Sequence, residues 1–246
     1  MTLDGTRTWL LGERRLAIID PGPALPAHVE ALANFAAGAD IVSILVTHDH
    51  PDHAQAAWPL AERLRGAHIF AMGDGTLADG QQIQTDDGPL TAMHTPGHTP
   101  DHMAFDWPSG HAVFCGDLMM GGLDTALVAP PEGNLQDYLD SLERIRAREP
   151  HIIYPAHGEP ITDPAGAIAR YVAHRAARQQ QVLAVLAAGA RTLEQVADGV
   201  YGGTVPPALR DAALLAARAY LDNLLRARRI TRVGDRWLIA GSSGAQ

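Results

Sequence analysis

Apolar and polar positions alternate with two different periods over the first 164 residues. Arg15-Leu-Ala-Ile-Ile19 is a short apolar run closed by Asp20-Pro21-Gly22-Pro23, and it predicts a buried strand ending at a strong breaker. Over residues 26–37, Val29, Leu32, Ala33 and Ala36 recur at helical spacing. Residues 41–46 predict a second buried strand, 54–65 a helix, and 67–71 an extended segment. Residues 102–106 and 111–115 read as two strands joined through Trp107-Pro108-Ser109-Gly110. The clearest helix spans 134–148: Asn134 is placed to cap it, and Leu135, Tyr138, Leu139, Leu142 and Ile145 share one face. A last short strand covers 151–154. Strands alternating with helices predict a layered α/β core.

The pattern then becomes helical. Asp163-Pro164 reads as a cap followed by a first-turn proline, opening a long helix to about residue 188. Thr192-Leu-Glu-Gln195 has the form of a capping box, and 207–227 is helical again. Residues 230–233 and 236–239, joined by Gly234-Asp235, predict a hairpin. Helix, helix and hairpin in this order fit a winged helix, a module that touches nucleic acid in some proteins and packs or dimerises in others. The expected division is therefore a body over 1–164 and a connecting helix with a winged-helix module over 165–246. Residues 241–246 read as a frayed tail.

Charge follows the same division. Residues 1–164 hold 8 Arg against 23 Asp and Glu, a net of −15, whereas residues 165–246 hold 11 Arg against 5 acids, a net of +6. All 19 basic residues are arginine, which excludes Schiff-base chemistry and a Walker-type phosphate loop, since both need lysine. The longest apolar run, 182–190, is nine residues, short of the about 20 that span a bilayer. No membrane partner is expected. The single cysteine, Cys115, excludes an internal disulfide and a cysteine zinc site, and is expected in the core. No secretory leader is read in the first seven residues, so the cytoplasm is the expected compartment.

Histidine is the other unusual feature: there are twelve. His48-Asp49-His50-Pro51-Asp52-His53 directly follows an apolar strand and packs three imidazoles and two carboxylates into six residues. Alternation along extended chain brings His48 and His50 to one side, and the turn at Pro51 carries Asp52 and His53 to the other. Imidazole nitrogens and carboxylate oxygens are ligands that an ion such as zinc prefers. Three more segments place a ligand type at a strand end beside Gly or Pro: Thr95-Pro96-Gly97-His98 in a tight turn before a strand, and Cys115-Gly116-Asp117 and Tyr154-Pro155-Ala156-His157 just after one. Strand ends are where α/β folds gather active sites. Each of these three, taken singly, also reads as an ordinary turn residue.

Together, His48-x-His50-x-Asp52-His53, His98, Asp117 and His157 resemble the metallo-β-lactamase superfamily. The resemblance implies a four-layer αββα sandwich with metals at one sheet edge. It implies one divalent ion on His48, His50 and His98, a second on Asp52, His53 and His157, and Asp117 bridging both. Zinc is the expected metal, with iron or manganese as alternatives. Asp20 matches a carboxylate that orients a ligand imidazole. The implied chemistry is hydrolysis by a metal-bridging hydroxide, with Asp52 holding or relaying its proton. His50 and Asp117 resemble the branch typified by glyoxalase II and RNA-cleaving enzymes. Gly116-Asp117-Leu-Met-Met-Gly121, Ala129-Pro-Pro-Glu-Gly133 and Tyr171-x-x-His174-Arg175 resemble a subgroup with a C-terminal winged helix, which includes single-strand endoribonucleases.

Two departures bear on substrate. Arg7 stands where relatives usually carry asparagine, and Asp49 is an added carboxylate in the ligand loop. Both fall where the pocket mouth is expected. His102 is read as strand packing ahead of a role behind a metal ligand, and His174 as paired structurally with Arg175. Three functions are weighed. A small acyl substrate, whether ester, thioester or lactone, suits the acidic body, with the second module shaping the pocket or a homodimer contact. Single-stranded RNA suits the basic tail. A winged-helix DNA regulator with a scaffold metal site comes last, because a scaffold needs no complete hydroxide site. An arginine stripe leading to the metals would favour RNA.

Overall fold

A computed structural model of the chain describes residues 5–202 and 205–240. Strands β1 (Trp9–Leu11), β2 (Arg15–Ile19), β3 (Ile41–Leu45) and β4 (His68–Phe70) form one sheet in that order. β1 runs antiparallel to β2, and β2, β3 and β4 are mutually parallel. Parallel neighbours need crossovers. Helix α1 (Pro26–Ala36) supplies the first, and α2 (Pro51–Ala54) with α3 (Ala57–Arg63) the second. The other sheet follows chain order through β5 (Gln82–Ile83), β6 (Leu90–His94), β7 (Met103–Trp107), β8 (Ala112–Gly116) and β9 (Ile152–Pro155). Its β8–β9 pair is parallel, bridged by α4 (Leu135–Arg146).

Strand periodicity sets the layers. Leu16, Ile18, Val42 and Ile44 pack on Val29, Leu32 and Leu60 of the first helical layer. Their neighbours Ala17, Ile19 and Leu45 face Leu90, Ala92, Phe105 and Phe114 of the other sheet. Met93, Ala104, Val113 and Ile153 point the opposite way, onto Tyr138, Leu142 and Ile145 of α4. This is the expected αββα sandwich. The parallel strands β2, β3, β8 and β9 finish at one edge, so the turns after them meet there.

Helix α5 (Pro164–Ala187) starts where Asp163 accepts a hydrogen bond from the Gly166 amide. Helix α6 (Leu193–Tyr201) opens on the Thr192–Gln195 capping box. Helix α7 (Arg210–Arg226) leads into a hairpin of β10 (Ile230–Val233) and β11 (Arg236–Ile239), with Gly234 at φ 57° in its turn. Val182, Leu186, Val196, Tyr220, Leu224 and Trp237 form a core continuous with the one beneath the second sheet. No helix among the described residues is long and apolar enough to cross a membrane.

Several boundaries differ from the sequence reading. The helix expected over 54–65 is two short helices, α2 and α3. Pro51 opens the first, and Pro59 lies in the first turn of the second, where its missing N–H costs nothing. The helix expected from 207 begins with a 3₁₀ turn at Pro207–Leu209 and becomes α-helical at Arg210. Strands β1, β5 and β6 have no counterpart in the sequence reading. Each is brief or, in β6, built partly of Ala and Met, which do not mark a strand. The expected tail at 241–246 lies outside the described residues.

Candidate metal centre

The seven residues singled out from the sequence, His48, His50, Asp52, His53, His98, Asp117 and His157, meet at the shared edge. His48, His53 and His157 are essentially inaccessible, with His98 and Asp117 also buried and Asp52 and His50 half-buried. Three groups of donor atoms lie within 4.8 Å of one another: His48, His50 and His98; His48, His53 and Asp117; and Asp52, His53 and His157.

Hydrogen bonding fixes which nitrogen of each ring carries the proton. Thr47 gives its one hydroxyl proton to Asp20 Oδ2 at 2.8 Å, so its oxygen accepts from His48 Nδ1 at 3.1 Å. His53 Nδ1 donates to Asp20 Oδ2 at 2.9 Å. His98 Nδ1 donates to the Leu127 carbonyl at 2.9 Å, and His157 Nδ1 to the Gly5 carbonyl at 3.0 Å. These four rings therefore turn a bare Nε2 inward. His50 is reversed. Its Nε2 faces Glu132 Oε2 at 3.2 Å, which leaves Nδ1 as the inward lone pair.

These inward atoms have no ordinary partner. His48 Nε2 lies 2.8 Å from His50 Nδ1, and His98 Nε2 lies 3.2 Å from that same atom. Lone pairs at such distances repel unless a cation or a proton lies between them. His53 Nε2 and Asp117 Oδ1 are buried with no hydrogen bond, although unpaired buried polar atoms are costly. Asp117 divides its oxygens: Oδ2 is 3.7 Å from His98 Nε2, and Oδ1 is 3.5 Å from His53 and 3.2 Å from His157. Asp52 Oδ2 is 3.6 Å from His53 Nε2 and 3.4 Å from His157 Nε2, and accepts from the Thr6 hydroxyl at 3.2 Å. Five imidazole lone pairs and two carboxylates converging without donors of their own fit divalent metal ions.

Burial and neighbouring charge pull these groups apart. Burial lowers the His48 pKa far below the imidazole range, and surrounding imidazoles lower it further. Burial alone would also lower His53, but the carboxylates of Asp20, Asp117 and Asp52 raise it to about 9, so without a cation a second proton takes the inward Nε2 that a metal ion would otherwise occupy. Burial would raise Asp117, yet the close imidazoles of His157, His53 and His98 hold it well below the carboxylate range. It remains an anion.

The sequence reading named Asp20 and His102 but left Thr47 and Glu132 unnamed. Thr47 links Asp20 to His48, and Asp20 also accepts from the Thr47 amide at 2.8 Å. Glu132 fixes His50. His102, fully buried, accepts from the Asp117 amide at 3.2 Å while its Nδ1 donates to Thr95 Oγ1 at 2.9 Å. Burial, with the charge of His98, lowers its pKa to about 3. His102 thus packs in the sheet and also holds the Asp117 turn. Arg7 lies behind His157 rather than at a pocket mouth: Nε binds the Gly158 carbonyl, and Nη2 pairs with Glu159 at 2.6 Å. Cys115 is core, its thiol pushed up to about 12 by burial.

Beside His48 and His50 opens a groove of about 530 Å³. Its apolar wall includes Val46, Ala57, Ile69 and Met72, with Trp58 at the rim, 70% exposed. Asp49, Asp74, Asp101 and Glu132 line it, and among the described residues no arginine does.

The chain matches the family model described as the metallo-beta-lactamase superfamily over residues 1–70 and 73–157. It is 34% identical to the atrochrysone carboxyl ACP thioesterase of Aspergillus chevalieri, over 95% of this chain and 77% of the relative. It is 34% identical to a beta-lactamase-like protein 2 homolog of Drosophila melanogaster, over 74% of this chain and 68% of the relative. Among solved structures, a metallo-beta-lactamase family protein from Thermus thermophilus superposes with a TM-score of 0.77 at 22% identity. That superposition covers 95% of this chain and 93% of the other. The family match covers the αββα body and all the turns that meet at its edge; the chain belongs to the metallo-beta-lactamase superfamily of metal-dependent hydrolases.

Proposed function

We propose that this hydrolase is binuclear and acts on a small acyl substrate, with a thioester ahead of an oxygen ester or lactone. The observation that carries the reading is the convergence of five imidazole lone pairs, each fixed by a proton pinned on the far nitrogen. His48, His50 and His98 would hold one divalent ion and Asp52, His53 and His157 another. Asp117, with one oxygen toward each set, would bridge them. Ions held here would supply Lewis acidity and bring the pKa of water to about 7. Zinc suits these donors, and iron or manganese accept the same set.

The chain's own residues do the rest. Asp20, Thr47, Glu132 and the carbonyls of Gly5 and Leu127 keep each ring in its ligating tautomer. Asp52, half-buried beside His53 and His157, is the carboxylate placed to take a proton from the attacking water. The groove receives the acyl or leaving group along its apolar wall. Its carboxylates repel a polyanion, which favours a small neutral or cationic substrate over RNA. The names of two relatives, the atrochrysone carboxyl ACP thioesterase and the thioesterase pkgB of Emericella nidulans, favour the thioester.

The test compares metal-loaded protein on a neutral acyl thioester, its oxygen ester, a lactone and single-stranded RNA across a salt series. Expected are close to two metal ions per chain and chelator-sensitive acyl hydrolysis that salt barely changes. A stoichiometry of one, unchanged by added zinc, refutes the binuclear site. Chelator-sensitive RNA cleavage that falls steeply with salt, without acyl hydrolysis, refutes the substrate and selects the endoribonuclease reading.

A further inference from the structure

We propose that Arg175 is a positioning residue for His98, which makes the C-terminal helices part of the metal centre. This rests on His98 being a metal ligand. The segment from Leu118 to Asn134 holds no helix or strand, yet it delivers the Leu127 carbonyl that takes the His98 Nδ1 proton at 2.9 Å. Without a ladder of its own, such a segment is held by whatever its side chains and carbonyls touch. The Leu127 side chain gives no grip, being 54% exposed.

Helix α5 supplies the grip at three points. Tyr171 accepts from the Met120 amide at 2.9 Å and donates to the Met120 carbonyl at 3.2 Å. Arg170 pairs with Asp124 at 2.9 Å. Arg175 donates from Nη2 to the Ala126 carbonyl, one residue before Leu127. The Thr125 hydroxyl reaches that carbonyl at 3.5 Å, a far weaker contact.

Arg175 is itself an unusual side chain. It is 7% exposed, and among the described residues no carboxylate pairs with it. Its Nη1 donates to the Tyr220 hydroxyl of α7 at 3.3 Å, and its guanidinium lies 5.0 Å from the centre of the Tyr138 ring of α4. Its Nε is buried without a partner. A buried guanidinium is expensive, and plain packing would be served as well by an apolar side chain. The hydrogen bond to Ala126 is what an apolar side chain cannot make. Releasing that carbonyl lets the Leu127 peptide turn. His98 then loses the acceptor that keeps its Nε2 bare and aimed at His50 Nδ1 and Asp117 Oδ2.

The test measures zinc affinity by competition with a chromophoric chelator, and the visible spectrum of the cobalt-loaded protein. It uses full-length Arg175→Met, Arg175→Lys, Tyr220→Phe and, as reference, His98→Ala. Expected is a roughly 10–100-fold weaker binding of one ion in Arg175→Met, the ion that His98→Ala also loses, with the other ion unaffected. Arg175→Lys, which keeps a donor, recovers part of the loss. Tyr220→Phe, which frees one end of the guanidinium, weakens the same ion several-fold. Arg175→Met that folds and binds both ions as wild type, with an unchanged cobalt spectrum, overturns the proposal. If Arg175→Met does not fold, wild-type binding by Tyr220→Phe overturns it. Unaltered binding by His98→Ala instead overturns the ligand assignment beneath it.

Discussion

Replacing Asp20 by asparagine tests whether the proton pattern around the rings builds the metal centre. Asp20 is 1% exposed, and its carboxylate accepts from the Thr47 amide at 2.8 Å, the Thr47 hydroxyl at 2.8 Å and His53 Nδ1 at 2.9 Å. Its φ of 50° lies in the left-handed region, which asparagine tolerates as readily, so the backbone does not account for any effect. Asparagine has one acceptor oxygen in place of two. If that oxygen stays on the Thr47 amide, an NH₂ group faces His53 Nδ1, which must then accept. The imidazole proton moves to Nε2, the atom 3.5 Å from Asp117 and 3.6 Å from Asp52 that is needed bare. If the amide flips, its NH₂ meets the Thr47 N–H, two buried donors face to face, at about 1–3 kcal/mol.

Either outcome costs about one charge-assisted hydrogen bond, roughly 1.5–3 kcal/mol. The expected loss of affinity for the ion on the His53 side is therefore about 10–100-fold, the usual scale for groups that orient a metal ligand. Chelator competition measures it, and long-range ¹H–¹⁵N correlation spectra of the zinc-loaded protein show which His53 nitrogen keeps its proton. Asp20→Asn that binds both ions with wild-type affinity, with His53 still protonated at Nδ1, would falsify the reasoning.

Other expectations follow from single contacts. Gly97 has φ 133°, and a Cβ there would lie within 2.6 Å of Cα, N and Cβ of Tyr138. Gly97→Ala should push α4 off the His98 turn and lower the melting temperature by roughly 6–12 °C, the size of a loss of about 3 kcal/mol; an unchanged melting curve argues against the packing described. His102 has its folded pKa lowered to about 3, so in the metal-free protein the unfolded chain takes up a proton first on acidification. Stability should then fall as pH drops from about 6.5 toward 3, and His102→Gln should flatten that slope in urea titrations at stepped pH. Asp117→Ala should lower turnover about 10²–10³-fold or more with its circular dichroism unchanged, and retained activity would reduce Asp117 to a turn former.

What is legible in the sequence depends on how local each cause is. Arg15–Ile19, Ile41–Leu45 and Leu135–Arg146 are readable because apolar period and capping residue lie within a few positions of each other. The three strands that escape a sequence reading owe their form to the neighbours they pair with: Gln82 and Ile83 become a strand only against Thr91 and Leu90. Pro59 reads as lying inside one helix because proline tolerance depends on the turn it occupies, and that turn is set by the break between α2 and α3 at Gln55 and Ala56.

The candidate site divides along the same line. The converging donors carry imidazoles and carboxylates, types rare enough in such density to mark themselves. Asp20 and Thr47 sit next to breakers or ligands and leave some trace. The groups that hold His98 and His157, by contrast, are the backbone carbonyls of Leu127 and Gly5. Every residue type offers a carbonyl, so nothing in the identity of either residue distinguishes those positions. Their placement depends on side chains that reach across the fold: Arg175 to the Ala126 carbonyl, and Arg7, two residues from Gly5, to the Gly158 carbonyl beside His157. A ligand set can therefore be read from residue types. The tautomers that make it a ligand set depend on where carbonyls fall, and that is a property of the folded chain.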